Sequence, residues 1–160
     1  MTSIVPNLWF TGNAQEAVDY YLSIFPNSEI TQTFYYGEDY GDDAGKVLTV
    51  EFTLNGSRFV AINGPAGVFN QSGIVSFAIM CDSQQEVDYY WNHFEQGGQP
   101  QQCGWIGDKF GFVWQVVPTG LVEMMKSPDV AAVARMSKAM MSMVKLDLPA
   151  LEAAFAGADA

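Results

Sequence analysis

Side chains able to do covalent chemistry are few here. There is one histidine, His93, and there are two cysteines, Cys81 and Cys103. Cys103 sits between polar Gln102 and Gly104, just before Trp105. A thiolate there could act as a nucleophile. No histidine base can be placed beside it and no cationic residue lies near it in sequence, so the competing reading is packing. Cys81 ends an apolar run and reads as core. His93 falls on a helix, off its apolar face, and reads as an exposed helix residue. Arg58 and Lys46 are the few bases among the strands. Either can meet an anionic ligand group or serve as a solvated or salt-bridged surface charge. Aromatic residues crowd the strands, among them Trp9, Phe34, Phe52, Phe77, Trp105 and Trp114. Strand alternation sends about half of them to each face. They either line an apolar pocket for a planar or aliphatic molecule or fill the core between sheet and helices.

The elements that would position these groups come twice. Val18-Asp19-Tyr20-Tyr21, with Phe25 after it, returns as Val87-Asp88-Tyr89-Tyr90, with Phe94 after it. Each copy follows a short apolar strand, the first about Val5 to Thr11 and the second Ile74 to Cys81. Val18, Tyr21, Leu22 and Phe25 have helical spacing, as do Val87, Tyr90, Trp91 and Phe94. Asn13 is placed to cap the first helix. Ser28 to Tyr36 and Val47 to Leu54 read as strands. Asn55-Gly56 is a strong two-residue hairpin signal, with Arg58 to Asn63 returning. In the second copy, two short strands are expected over about Gln99 to Ile106, and a last one over Phe112 to Val117. Both copies are thus β-α-β-β-β. Repeats of this length, present only twice, fit fused halves better than a solenoid.

Beyond the repeat the chain is helical. Ser127-Pro128-Asp129 opens one helix, expected to reach about Val144, and Asp147 caps another through Phe155. Methionines concentrate here, from Met124 to Met143, which suits adaptable packing on the sheet or a partner subunit. The domain reading is residues 1–66 for the first module, 67–120 for the second and 121–160 for the helical tail, all in one compact unit.

Composition sets the outer limits. With 49% hydrophobic residues among 160, a packed core is expected rather than disorder. The formal net charge of -11 repels phosphates, so neither nucleic acid nor an anionic membrane is an expected partner. No apolar run approaches the roughly 20 residues that span a bilayer. The N-terminus lacks the basic and apolar regions of a signal peptide. Two cysteines make no disulfide framework. A cytoplasmic location is expected.

The tandem plan is similar to that of the vicinal oxygen chelate superfamily, which includes glyoxalase I, extradiol dioxygenases and bleomycin and fosfomycin resistance proteins. Several motifs resemble its PhnB-like branch, often labelled demethylubiquinone methyltransferase-like. They are Pro6-Asn7-Leu8-Trp9-Phe10 with Gly12-Asn13-Ala14, Phe25-Pro26-Asn27-Ser28, Ala61-Ile62-Asn63-Gly64-Pro65, Gln102-Cys103-Gly104-Trp105 and Trp114-Gln115-Val116-Val117-Pro118. The resemblance implies an α+β fold, with tandem βαβββ modules forming a cupped mixed sheet and a C-terminal helical tail. It also implies a homodimer. A methyl donor calls for a glycine-rich strand-to-helix turn in a doubly wound fold, and the sequence contains none.

In metal-dependent members of the superfamily, each module supplies one ligand from its first strand and one from its last. Carried onto this chain, those positions are Asn7 and Ser76 on the first strands and Gln115 on the last strand of the second module. The first module's last-strand counterpart falls near Ala61 or Asn63. These are neutral side chains, whereas a catalytic divalent ion wants anionic or imidazole ligands. No metal and no cofactor are therefore expected. Asn7, Ser76 and Gln115 read either as a polar floor for an organic ligand or as satisfied structural groups. Asn7, Trp9, Asn63, Ser76, Trp105 and Gln115 are the candidate ligand-binding residues, and Cys103 is the weak catalytic candidate. The preferred function is binding of a small, largely apolar organic molecule. The rival is a lyase, isomerase or oxygenase using a weakly held metal or Cys103.

Overall fold

The computed structural model describes residues 4–67 and 75–158. Where the sequence reading takes modules and tail as one compact unit, contacts group the chain into two, Met1–Asn70 and Gln71–Ala160, with the tail helices inside the second. Ile74, the expected start of the second module's first strand, lies outside the described residues.

The first unit runs β1 (Asn7–Phe10), α1 (Ala14–Ile24), β2 (Ser28–Tyr35), a 3-10 segment (Glu38–Asp43), β3 (Val47–Leu54) and β4 (Ser57–Asn63). Its sheet has the order β1-β4-β3-β2. β1 and β4 are parallel and the other pairs antiparallel, so the sheet is mixed. α1 buries Ala14, Ala17, Val18, Tyr21 and Ile24. Tyr21 stacks on Phe52, and Phe52 on Phe59, which fixes one face of β3 and β4 against the helix. Asn55 and Gly56 have φ of 47° and 79°, a two-residue turn whose twist matches the flanking strands.

The second unit repeats the order: β5 (Ser76–Cys81), α2 (Gln84–Glu95), β6 (Gln99–Pro100), β7 (Trp105–Gly107) and β8 (Val113–Pro118). The sheet is β5-β8-β7-β6, again with its outer first strand parallel to its last. Trp114 is the central core residue, stacked on Phe94 of α2 and tilted against Phe77 of β5. Then come α3 (Thr119–Met125), α4 (Val130–Met140) and α5 (Leu148–Ala156). They enclose a small core of Leu121, Met136, Leu146 and Leu151, against which Met124, Met140 and Met143 pack. These four methionines thus serve packing within this unit, whereas Met125 and Met141 are exposed. The Gln84 side chain bonds the carbonyl of Leu146 and accepts from the N–H of Leu148, and Lys145 pairs with Asp88 at 2.6 Å. These contacts tie the tail to the start of α2.

Two helix starts differ from expectation. Asn13 makes no side-chain cap for α1. The carboxamide oxygen of Asn63, at the end of β4, accepts instead from the N–H groups of Gly12 and Ala14, both at 3.0 Å. α4 begins at Val130, because the Asp129 carboxylate takes the cap bond from Ala132 while Ser127 bonds back to Asp129. It ends at Met140, short of Val144. Asp147 caps α5 as expected. Among the described residues no helix is long and apolar enough to cross a membrane.

Candidate functional site

In each unit one sheet face packs on the helix and the other turns away from it. On β8, Trp114, Val116 and Pro118 are buried, so Val113, Gln115 and Val117 take the opposite face, with Val117 packed on the core of the tail helices. On β5, buried Ile79 and Cys81 leave Ser76, Ala78 and Met80 on that same face. Gln115 and Trp105 are direct cross-strand partners, which brings their side chains side by side. The Gln115 amide donates to Ser76 Oγ at 2.8 Å. Three candidates from three strands therefore form one constellation. The Gln115 carbonyl oxygen and the Ser76 hydroxyl proton both lie outside that bond. No residue of β5, β7 or β8 on this face is charged.

The first unit treats its candidates differently. Leu8 and Phe10 are buried, so Asn7 and Trp9 face away from α1. The Asn7 amide donates to the carbonyl of Val5 at 2.8 Å. The Trp9 indole packs beside Gly64 and donates to the carbonyl of Pro65 at 3.4 Å. A Cβ at position 64 would run into that ring, so only glycine admits it. Asn63 is 7% exposed and on the helix side. Besides its two accepted bonds, its amide donates to the carbonyl of Val47 at 2.9 Å. Every polar group of that side chain is engaged in holding β4, β3 and the start of α1 together. Ala61 is on the same side. The register settles the question left open between them: Trp9 lies opposite Ile62 as Ala78 lies opposite Gln115. Ile62 is thus the counterpart of Gln115.

With Ile62 replacing Ala61 or Asn63 in the mapping that the resemblance implies, the four expected ligand positions hold Asn7, Ile62, Ser76 and Gln115. Three are neutral donors and one is a hydrocarbon. Among the described residues no three His, Cys, Asp or Glu side chains stand together to hold a metal ion. This donor set does not fit a catalytic divalent ion, which needs charge to offset dehydration.

Cys103 lies in a tight turn at φ 59°, its N–H bonded to the carbonyl of Met143 at 2.8 Å. Its thiol points at the carbonyl of Met140, 3.6 Å away. That carbonyl is no base, and the contact anchors the turn to the tail. Cys81 is fully buried, and burial, with smaller contributions from Glu86 and Asp82, pushes its thiol pKa up to about 12. His93 donates from Nδ1 to the carbonyl of Tyr89 at 2.7 Å, one turn back on α2. Lys46 pairs with Asp43, and that hydrogen bond and charge hold its pKa above the usual lysine value.

Two residues to which the sequence reading assigns no role of their own matter here. Asp108 is 4% exposed, and its carboxylate accepts from the N–H groups of Phe110 and Phe112 and from the Trp114 indole at 2.9 Å. It organises the β7–β8 turn. Glu51 lies on β3, half-buried, on the face shared with Asn7 and Trp9. Its signal in the sequence was a charged residue in mid-strand, in phase with Thr49 and Thr53.

Two β-α-β-β-β units, each closing a mixed sheet around one helix, define an α+β protein of the glyoxalase/bleomycin resistance/dioxygenase fold. Residues 2–117 match the family model described as 3-demethylubiquinone-9 3-methyltransferase, and the chain belongs to that family. A PhnB protein from Bacillus cereus is 30% identical with a TM-score of 0.66, over 73% of this chain and 99% of that one. A Pseudomonas aeruginosa protein, 24% identical with a TM-score of 0.60 over 74% and 98% of the two chains, shares the fold. So does the fosfomycin resistance protein FosX of Listeria monocytogenes, at 16% identity and TM-score 0.53 over 79% and 98%. No protein of curated function matches the chain.

Proposed function

We propose that this protein binds a small, largely apolar organic molecule on the sheet faces turned away from its helices, without a catalytic metal, as a cytoplasmic homodimer. The observation that carries the reading is the Ser76–Gln115–Trp105 constellation. An amide oxygen and a hydroxyl proton, both outside their mutual bond, stand beside an indole on an uncharged surface. Such a surface suits a ligand with one neutral polar group and an apolar body. Methyl transfer has less support. The connection Thr11-Gly12-Asn13 is short, and the N–H groups of Gly12 and Ala14 are engaged by Asn63. A cofactor phosphate or carboxylate would find no donor cradle there. Cysteine chemistry also has less support, since the Cys103 thiol is turned to a carbonyl.

Native mass spectrometry on untagged protein, purified without chelators, tests the reading. The expected result is a dimer carrying well under one divalent ion per chain. An organic adduct, if carried, is lost in Gln115→Leu. Close to one divalent ion per chain would overturn the metal-free reading.

A further inference from the structure

We infer that the first module's open sheet face is a site for a small organic cation, whose ammonium group is received by Glu51. The inference rests on the reading that these faces take organic molecules, and it adds the charge of the ligand.

β3 is an inner strand, flanked by β4 and β2. Phe52 faces α1, so Glu51 faces away, in a row with Asn7 and Val60 on one side and Gln32 on the other. Charged residues are disfavoured in mid-strand, where neighbours on both sides take away water. Glu51 is a half-buried residue, and among the described residues its carboxylate makes no hydrogen bond and no ion pair. The base closest in register is Arg58, on the same face but opposite Thr53, exposed and outside ion-pair distance. A carboxylate without a partner, on a half-buried residue of an inner strand, is an unfilled acceptor.

Its surroundings suit an amine. Thr49 and Thr53 flank it along β3 and supply hydroxyl oxygens, and the Asn7 carbonyl oxygen lies outside that side chain's bond to Val5. Val60, Ile62 and the pinned Trp9 indole form an apolar shelf beside it. An ammonium has three donors and no acceptor, which matches a carboxylate with neutral oxygens around it. The net charge of -11 concentrates cations at the surface and repels acids.

The test is amide chemical-shift mapping on the full chain with two probes of one shape, phenethylammonium chloride and neutral 2-phenylethanol. The amine should perturb amides of β3 and β4 and bind about tenfold more tightly than the alcohol, as expected for a charge-assisted bond. Glu51→Gln should level the two probes, whereas Arg58→Ala should keep or widen the gap. Equal affinities in the unaltered chain, or a preference surviving Glu51→Gln, would overturn the inference. If the alcohol still binds a sheet face in that event, the broader binding reading stands and only the charge assignment falls. Absence of any shift with either probe counts against both.

Discussion

In the first module the start of α1 is held from the far end of β4, by Asn63. In the second, the start of α2 is held by its own neighbours: Ser83 accepts from the N–H of Glu86, and the Glu86 carboxylate accepts from the N–H of Asp82. The modules also place their central carboxylates differently. Asp108 is buried and met by three donors, whereas Glu51 is half-buried and, among the described residues, met by none. One topology thus tolerates opposite allocations of polar groups. The second module uses its carboxylate internally and leaves a neutral face. The first uses its carboxamide internally and leaves a charged one.

Several substitutions would break or sharpen this comparison. The largest effect is expected at Asp108. Asp108→Ala orphans two backbone donors and the Trp114 indole, and should lower unfolding stability by roughly 3 kcal/mol in urea titration. A loss under 1 kcal/mol would mean that water replaces the carboxylate. Next is Asn63→Ala, expected to cost about 2 kcal/mol and to speed hydrogen exchange at Gly12 and Ala14. Ser83→Ala should cost about 1 kcal/mol, the ordinary value of a local cap. If it costs as much as Asn63→Ala, the contrast between remote and local fastening fails.

The effect that is smallest near neutral pH, and grows only with alkali, comes from titration. Cys81 titrates near 9.0 when unfolded and near 12 in the fold, so its thiol stays neutral in the native state while the unfolded chain ionises. Its contribution is intact below pH 9.0 and is lost progressively as pH rises toward 12. Cys81→Ala should flatten that alkaline decline in thermal melts, and an unchanged slope would assign it to other groups.

Much of the frame was readable in the chain. The helices follow from Val18-x-x-Tyr21 and Val87-x-x-Tyr90, and the β3–β4 hairpin from Asn55-Gly56. The face taken by β4 was not readable. Phe59, Val60, Ala61 and Ile62 are apolar in both phases, so alternation cannot say which side packs on the helix. Stacking of Phe59 on Phe52 decides it, and with it the fate of Asn63. The remote cap was equally hidden, because its partners lie 49 and 51 residues away. At β8 the phase was clearer, since Trp114 and Val116 alternate with Gln115. The Ser76–Gln115 bond still depended on a strand pairing that no local pattern encodes.

The Asn63 bracket also bears on the order in which the chain acquires structure. During synthesis α1 emerges first, yet its cap arrives only when β4 has been made and has docked. α2 emerges later and finds its cap within three residues. Closing a loop of 49 to 51 residues precedes any gain from the Asn63 bonds, so α1 should form late on the folding route and α2 early. The earlier-made half of the protein is then the one that waits.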